Sequence, residues 1–262
     1  MSNRIAREFF RNGPSHRDGA DVTFGDIQKF FHLRGITIGK WVTRDEQAIA
    51  ANLFFDALCD LADILAVPYS TMGLNGSLAL AFGSGGRKGV SAHYTPMKRE
   101  LALAKNAGAG SLAHEWFHAF DHYIADKMFV DAKAGSFASM LCIQSANNIA
   151  HPLNMRLLTC LHTIMLSPLE NELNPFMQRA VNLDKANQSV YFALPQEVCA
   201  RAFEAMVQDH SRKNQFLVSG TKQSRWAQQG AYPDGAQRAL INAQLTTYFT
   251  HLGKALAHRQ ER

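Results

Sequence analysis

The sequence predicts an α+β fold, with a mixed sheet and helices in its N-terminal half and a mainly helical C-terminal half. Three observations carry this. Strand-like runs are confined to residues 35–105. From about residue 135 onward apolar residues recur with helical period and strand patterns are lacking. Between the two regions runs one unusually apolar helical stretch, Ala113-His-Glu-Trp-Phe-His-Ala-Phe-Asp-His122. The halves are expected to form a single domain over 1–262, with an α/β sub-lobe at about 22–130 and a helical sub-lobe at about 131–262.

The elements read as follows. Residues 11–20 have loop composition and are expected to be poorly ordered. Residues 35–42 alternate Ile36 and Ile38 with small or polar neighbours and read as a strand. Thr43 and Glu46 have capping-box spacing and open a helix to about Ala66, closed by Pro68. Residues 78–82 form a short apolar strand. The glycine-rich 83–89 fits no phosphate-loop register and reads as a connection. Residues 90–95 and 100–105 read as two further strands. After the break at 106–110, Ser111 is placed to cap the helix that bears the histidines. Helices follow around 137–166, 174–182, 195–209 and 235–257.

Composition narrows the class. The 262 residues are 47% hydrophobic and 19% charged with net charge +5, the profile of an ordinary, mildly basic globular protein. The first ten residues hold no apolar signal core, and no run of 18 apolar residues occurs, so a cytoplasmic protein without membrane association is expected. Cys59, Cys142, Cys160 and Cys199 are far apart in apolar contexts without Cys-x-x-Cys, and read as reduced core residues.

His114-Glu115-x-x-His118 is the central motif. Residues four apart on an α-helix differ by about 40° in azimuth and about 6 Å along the axis. Both imidazoles can therefore hold one Zn²⁺, while Glu115 faces water at the metal as general base. With 11 histidines in the chain the pattern arises by chance in about 1–2% of such sequences. Two histidines bracketing a glutamate on so apolar a helix nevertheless need partners, and a metal satisfies all three. Asp121 is the better placed of the following residues to accept from the far side of a ligating imidazole. His122 continues the same face, as an acid or base or as a bystander.

A third ligand is expected from later in the chain. Glu197 follows Pro195 in the first turn of a helix whose next residues are too apolar for the surface. Spacing alone leaves two readings open, a ligand or part of a structural ion-pair row with Arg201 and Glu204.

The blocks 111–123 and 196–204 resemble the large polyvalent protein-associated domain of the first type. That domain occurs in multidomain proteins of phages and conjugative elements and in stand-alone bacterial proteins labelled CLCA-X. Phe30–Gly35, Leu74–Leu78, Gly108–Leu112 and Tyr232–Gly235 also resemble it. The two motif blocks are similar as well to the catalytic domain of anthrax lethal factor, a zincin metallopeptidase. That similarity implies a zincin-like fold, one zinc ion held by His114, His118 and Glu197, and Glu115 as catalytic base. It implies an assisting tyrosine, for which Tyr191 lies one residue out of register. Thermolysin-like enzymes carry an aspartate four residues after the ligand glutamate. Arg201 stands there instead, which leaves Asp121 or Glu204 to support a histidine.

The implied activity is peptide hydrolysis of the gluzincin kind, with Tyr191 or His122 stabilising the oxyanion. Zincin-like folds set a sheet edge beside the active-site helix. The strand at 100–105, with Leu101 and Leu103, is therefore expected to pair with an extended peptide. The alternative is a catalytically inactive zincin-fold binding module of a mobile element, contacting a host protein or nucleic acid. It would use Arg212, Lys213, Lys222 and Arg225 with Phe216 and Trp226. Deaminase and serine-hydrolase signatures are lacking.

Overall fold

Short polar caps start the first two helices. In α1 (Phe24–Phe30) the Thr23 side chain accepts from the Asp26 backbone N–H and Asp26 returns the bond to Thr23. Thr43 and Glu46 do the same for α2 (Arg44–Leu65), as the spacing predicts. α2 ends on Ala66 in the left-handed region, just ahead of Pro68. Our computed structural model describes Ile5 and residues 7–84, 92–104, 110–167 and 172–260. The expected features at 85–91 and 105–109 fall outside these described residues.

Four short strands form one mixed sheet: β1 (Gly35–Ile38), β2 (Ala79–Phe82), β3 (Ala92–Thr95) and β4 (Glu100–Leu103). Their spatial order is β1-β2-β4-β3. β1, β2 and β4 run parallel, and β3 lies antiparallel on β4. β1 is shorter than expected: at Gly39 the backbone meets Gly83 so closely that a Cβ would lie 1.9 Å from the Gly83 carbonyl oxygen. The zincin-like resemblance had suggested β4 as the strand open to a peptide. In fact both its sides are hydrogen-bonded, and Leu101 and Leu103 are buried in the core. The open side beyond β4 is occupied by β3, which is itself an outer strand.

The remaining helices are α3 (Leu112–Met128), α4 (Ala138–Ile143), α5 (Pro152–Met165), α6 (Pro175–Asn187), α7 (Pro195–Asp209), α8 (Arg225–Gln228) and α9 (Gly235–Gln260). The single helix expected at 137–166 is thus two. Ser145 takes a positive φ of 53°, and Pro152, which suits a first helical turn, starts α5 after His151. α6 runs a turn further than expected, to a left-handed Gln188. Ser111 precedes α3 but makes no side-chain cap. Instead the Ala113 N–H donates to the Leu217 carbonyl at 3.1 Å.

One continuous apolar core draws on both halves of the chain. α3 packs on the β3–β4 side of the sheet and also on α7. α7 is buried at every position from Glu197 to Val207, so its charged residues must find partners inside. Beneath them Trp116, Phe117, Phe120, Phe203 and Phe249 form an aromatic stack with centroid separations of 4.9–5.8 Å between successive rings. Trp116 completes its polar needs by donating to the Met72 carbonyl.

The loop expected to be poorly ordered is tied down. Asp60, fully buried on α2, accepts from Arg11 and Asn214 and pairs with His16. All four cysteines are free and buried, in accord with their reading as reduced core residues. No helix among the described residues is long and apolar enough to cross a membrane.

Candidate metal centre

The facing of α3 and α7 brings His114, His118 and Glu197 together. Their candidate ligand atoms all lie within 4.8 Å of one another, and all three residues are buried. His114 Nε2 and His118 Nε2 are 3.0 Å apart. Glu197 Oε2 is 3.3 Å from His114 Nε2, and Oε1 is 3.2 Å from His118 Nε2. Tetrahedral zinc with bonds of about 2.0–2.1 Å sets its ligand atoms about 3.3 Å apart. The two nitrogens are slightly closer than that, and each approaches a different oxygen of Glu197 at about that distance.

The donor chemistry also fits a dication. Glu115, Glu197 and Glu204 are all buried at this place, with Arg201 the cation paired to Glu197. In the metal-free protein His114 is cationic as well. Burial disfavours its charged form, but Glu204 and Glu197 outweigh this and push its pKa up to about 10. Burial acts to raise the Glu197 carboxyl, yet hydrogen bonds from His114 and His118 hold it well below the usual range. The proton on His114 and a metal ion are alternative occupants of the same nitrogen.

Of the two acids the sequence offered to support a histidine, Asp121 and Glu204, the structure sets Glu204 on His114. His114 Nδ1 lies 3.0 Å from Glu204 Oε2, and burial and the charge of the same carboxylate raise the Tyr232 phenol pKa. Glu204, rather than Asp121, therefore orients the His114 ring. Asp121 has a different task. It accepts from the Ser139 backbone N–H at 2.8 Å and from the Ser139 hydroxyl at 2.5 Å, capping α4 from outside. Burial raises its carboxyl to about 6. His118 Nδ1 is buried without a hydrogen-bond partner among the described residues.

Tyr191 reaches the site despite its shifted register. Its ring lies against the Arg201 guanidinium and its phenol feels the Glu197 charge, while 45% of the residue remains exposed, so it stands at the mouth of the centre. Burial of the hydroxyl and the Glu197 charge raise the phenol pKa and keep it a proton donor. The chain at 189–193 is organised by Asp184. Its carboxylate accepts the backbone N–H groups of Tyr191, Phe192 and Ala193 at 2.8–2.9 Å, together with the Ser189 hydroxyl. Glu115, buried on α3, acts electrostatically on both His114 and Tyr191, which puts it at the same centre.

His122 lies one turn beyond His118, and its Nδ1 is 2.7 Å from the Tyr94 hydroxyl of β3. Burial, then Arg99, lowers its pKa, so the imidazole is neutral at neutral pH. The outer strand is thereby fastened to the histidine helix.

The basic cluster considered for nucleic acid is largely committed to internal pairs. Arg212 bonds Asp60 and Asp63, Lys222 lies 2.8 Å from Asp209, and Lys213 donates to the Gln208 carbonyl. Phe216 is buried against Phe9 and Phe54. Arg225 stacks over Trp226, which is the exposed aromatic of that group.

Sequence reasoning missed three participants. Tyr232 had a signal, since Tyr232–Gly235 was one of the family-like blocks. Ser139 and Asp184 had none, because their partners are 18 and 7–9 residues away and set by packing.

Residues 183–256 match the family model of the large polyvalent protein-associated domain 1. The match contains Asp184, Tyr191, Glu197, Arg201, Glu204 and Tyr232, whereas the histidine helix and the other N-terminal blocks fall outside it. No curated protein and no solved structure matches the chain significantly.

Proposed function

We propose that this protein is a zinc-dependent peptidase of the gluzincin kind, with a zincin-like arrangement of sheet and histidine helix. The observation that carries the proposal is the convergence of buried His114, His118 and Glu197, whose candidate ligand atoms lie within 4.8 Å of one another. Zinc in such a set acts as a Lewis acid and lowers the pKa of the water it binds to about 7. The chain's own residues supply the rest.

Glu115 takes the proton of the attacking water and returns it to the amine nitrogen as the peptide C–N bond breaks. Tyr191, held protonated, donates to the developing oxyanion. Glu204 fixes the His114 ring through Nδ1. The substrate lies extended along the outer side of β3, main chain to main chain, in the role the sequence had given to the strand at 100–105. Tyr94, bonded to His122, keeps that strand at a fixed distance from α3. The family match supports a setting in polyvalent proteins of phages or mobile elements.

The test is hydrolysis of a mixed peptide library by zinc-loaded protein. Wild type should cleave, and Glu115→Gln should bind zinc but cleave at least 100-fold more slowly, within the range general-base removal produces (about 10²–10⁴-fold). Equal cleavage by both proteins would refute the assignment of Glu115. Zinc binding without cleavage of any peptide or protein substrate would favour the inactive binding module.

A further inference from the structure

Arg201 occupies the place where thermolysin-like enzymes carry an acid, and its surroundings are more specific than those of a spare buried charge. The residue is 5% exposed. Its Nη2 lies 3.2 Å from Glu197 Oε2, one turn away on α7, and its Nη1 donates to the Phe192 carbonyl at 3.1 Å. The guanidinium carbon stands 4.9 Å from the ring centres of both Tyr191 and Phe192. One cation thus touches the acidic ligand, the backbone next to the site tyrosine, and the face of that tyrosine.

We propose that Arg201 is a positioning residue: it engages Glu197 Oε2, on the side His114 also approaches, so that Oε1 is the one oxygen the carboxylate offers the metal, and it seats Tyr191 beside that carboxylate. This rests on the metal centre read above. The planar guanidinium suits the task because its N–H groups point in separate fixed directions, whereas a lysine ammonium is a single point charge. Asp184 secures the same segment from its other side through three backbone N–H groups. Tyr191 is therefore held between an acid on α6 and a base on α7, although its ring is partly in solvent.

A purely structural ion pair is a weak explanation of the arrangement. Exchanging a buried pair for apolar side chains is often neutral or stabilising, so stability alone does not call for a cation here. The contacts to Tyr191 and to the oxygen shared with His114 also fall on the site.

Cobalt(II) in place of zinc reads the number of ligands, because its visible absorption weakens as coordination rises above four. Wild type should take up one cobalt per chain with an intense visible band. Arg201→Met, of similar length and uncharged, should still take up one cobalt but with a weaker, shifted band as Glu197 turns both oxygens to the ion. Its metal affinity should stay within about tenfold of wild type, outside the greater part of the 10–100-fold loss that follows removal of a merely supporting partner. Arg201→Gln, checked for folding by circular dichroism, serves as the second variant.

A wild-type spectrum in both folded variants would overturn the assignment, as would loss of metal from both. Absence of cobalt binding by wild type would instead remove the metal centre, and this inference with it.

Discussion

Replacing Glu204 separates the support of His114 from its ligation. The residue is 4% exposed, and its carboxylate accepts from His114 Nδ1 at 3.0 Å. Glutamine fits the same space. It can turn its oxygen to His114, so what is lost is the charge on the bond. Hydrogen bonds to charged groups contribute about 1.5–3 kcal/mol against about 0.5–1.5 for neutral ones. The difference, about 1–1.5 kcal/mol, corresponds to roughly a tenfold loss of zinc affinity. Glu204→Leu leaves the Nδ1–H with no acceptor and should approach the hundredfold end of the range for such partners. Competition against a coloured chelator at fixed pH measures both, with saturation still at one zinc per chain. Wild-type affinity in both variants would refute the claim that Glu204 sets the His114 ring.

Further outcomes follow from the same geometry. Asp121 is raised from 3.8 to about 6, so between those values the folded state holds more protons than the unfolded state and stability falls as pH rises. The loss amounts to roughly 3 kcal/mol by neutral pH. Asp121→Asn should remove that slope in urea unfolding at pH 5 and pH 8, and equal slopes for the two proteins would contradict the assignment. Phe203→Ala empties the centre of the aromatic stack and should cost about 3–5 kcal/mol in the same assay. A loss under about 1 kcal/mol would mean the stack is not the support of α7. Gly253→Ala sets a Cβ 1.9 Å from the Ala66 carbonyl oxygen, a backbone contact that cannot yield cheaply, so a marked fall in melting temperature is expected. An unchanged melting temperature would contradict that close approach of α9 to the end of α2.

What the sequence made legible was local. The Thr43–Glu46 box, the breaks at glycine and proline, and the four-residue spacing of His114 and His118 act within one or two turns, and the structure follows them. The Thr23–Asp26 box escaped because aspartate there replaces the usual glutamate. Pro152 announced a helix start inside what periodicity made one helix. The position of β3 outside β4 was not legible: consecutive strands in a chain can pair in several orders, and tertiary packing chose one that leaves β4 enclosed. At the site, Glu197 stood out by its apolar neighbours and by resemblance. Arg201 looked like a missing acid, and only the approach of the 189–193 segment, arranged by Asp184, reveals what the cation touches.

The most direct measurement is zinc per chain by elemental analysis of purified wild type, Glu115→Gln and Glu197→Ala. One equivalent in wild type and in Glu115→Gln, with loss or marked weakening in Glu197→Ala, is the expected result. Folded wild type that retains no zinc after reconstitution would contradict the metal centre on which the functional reading stands.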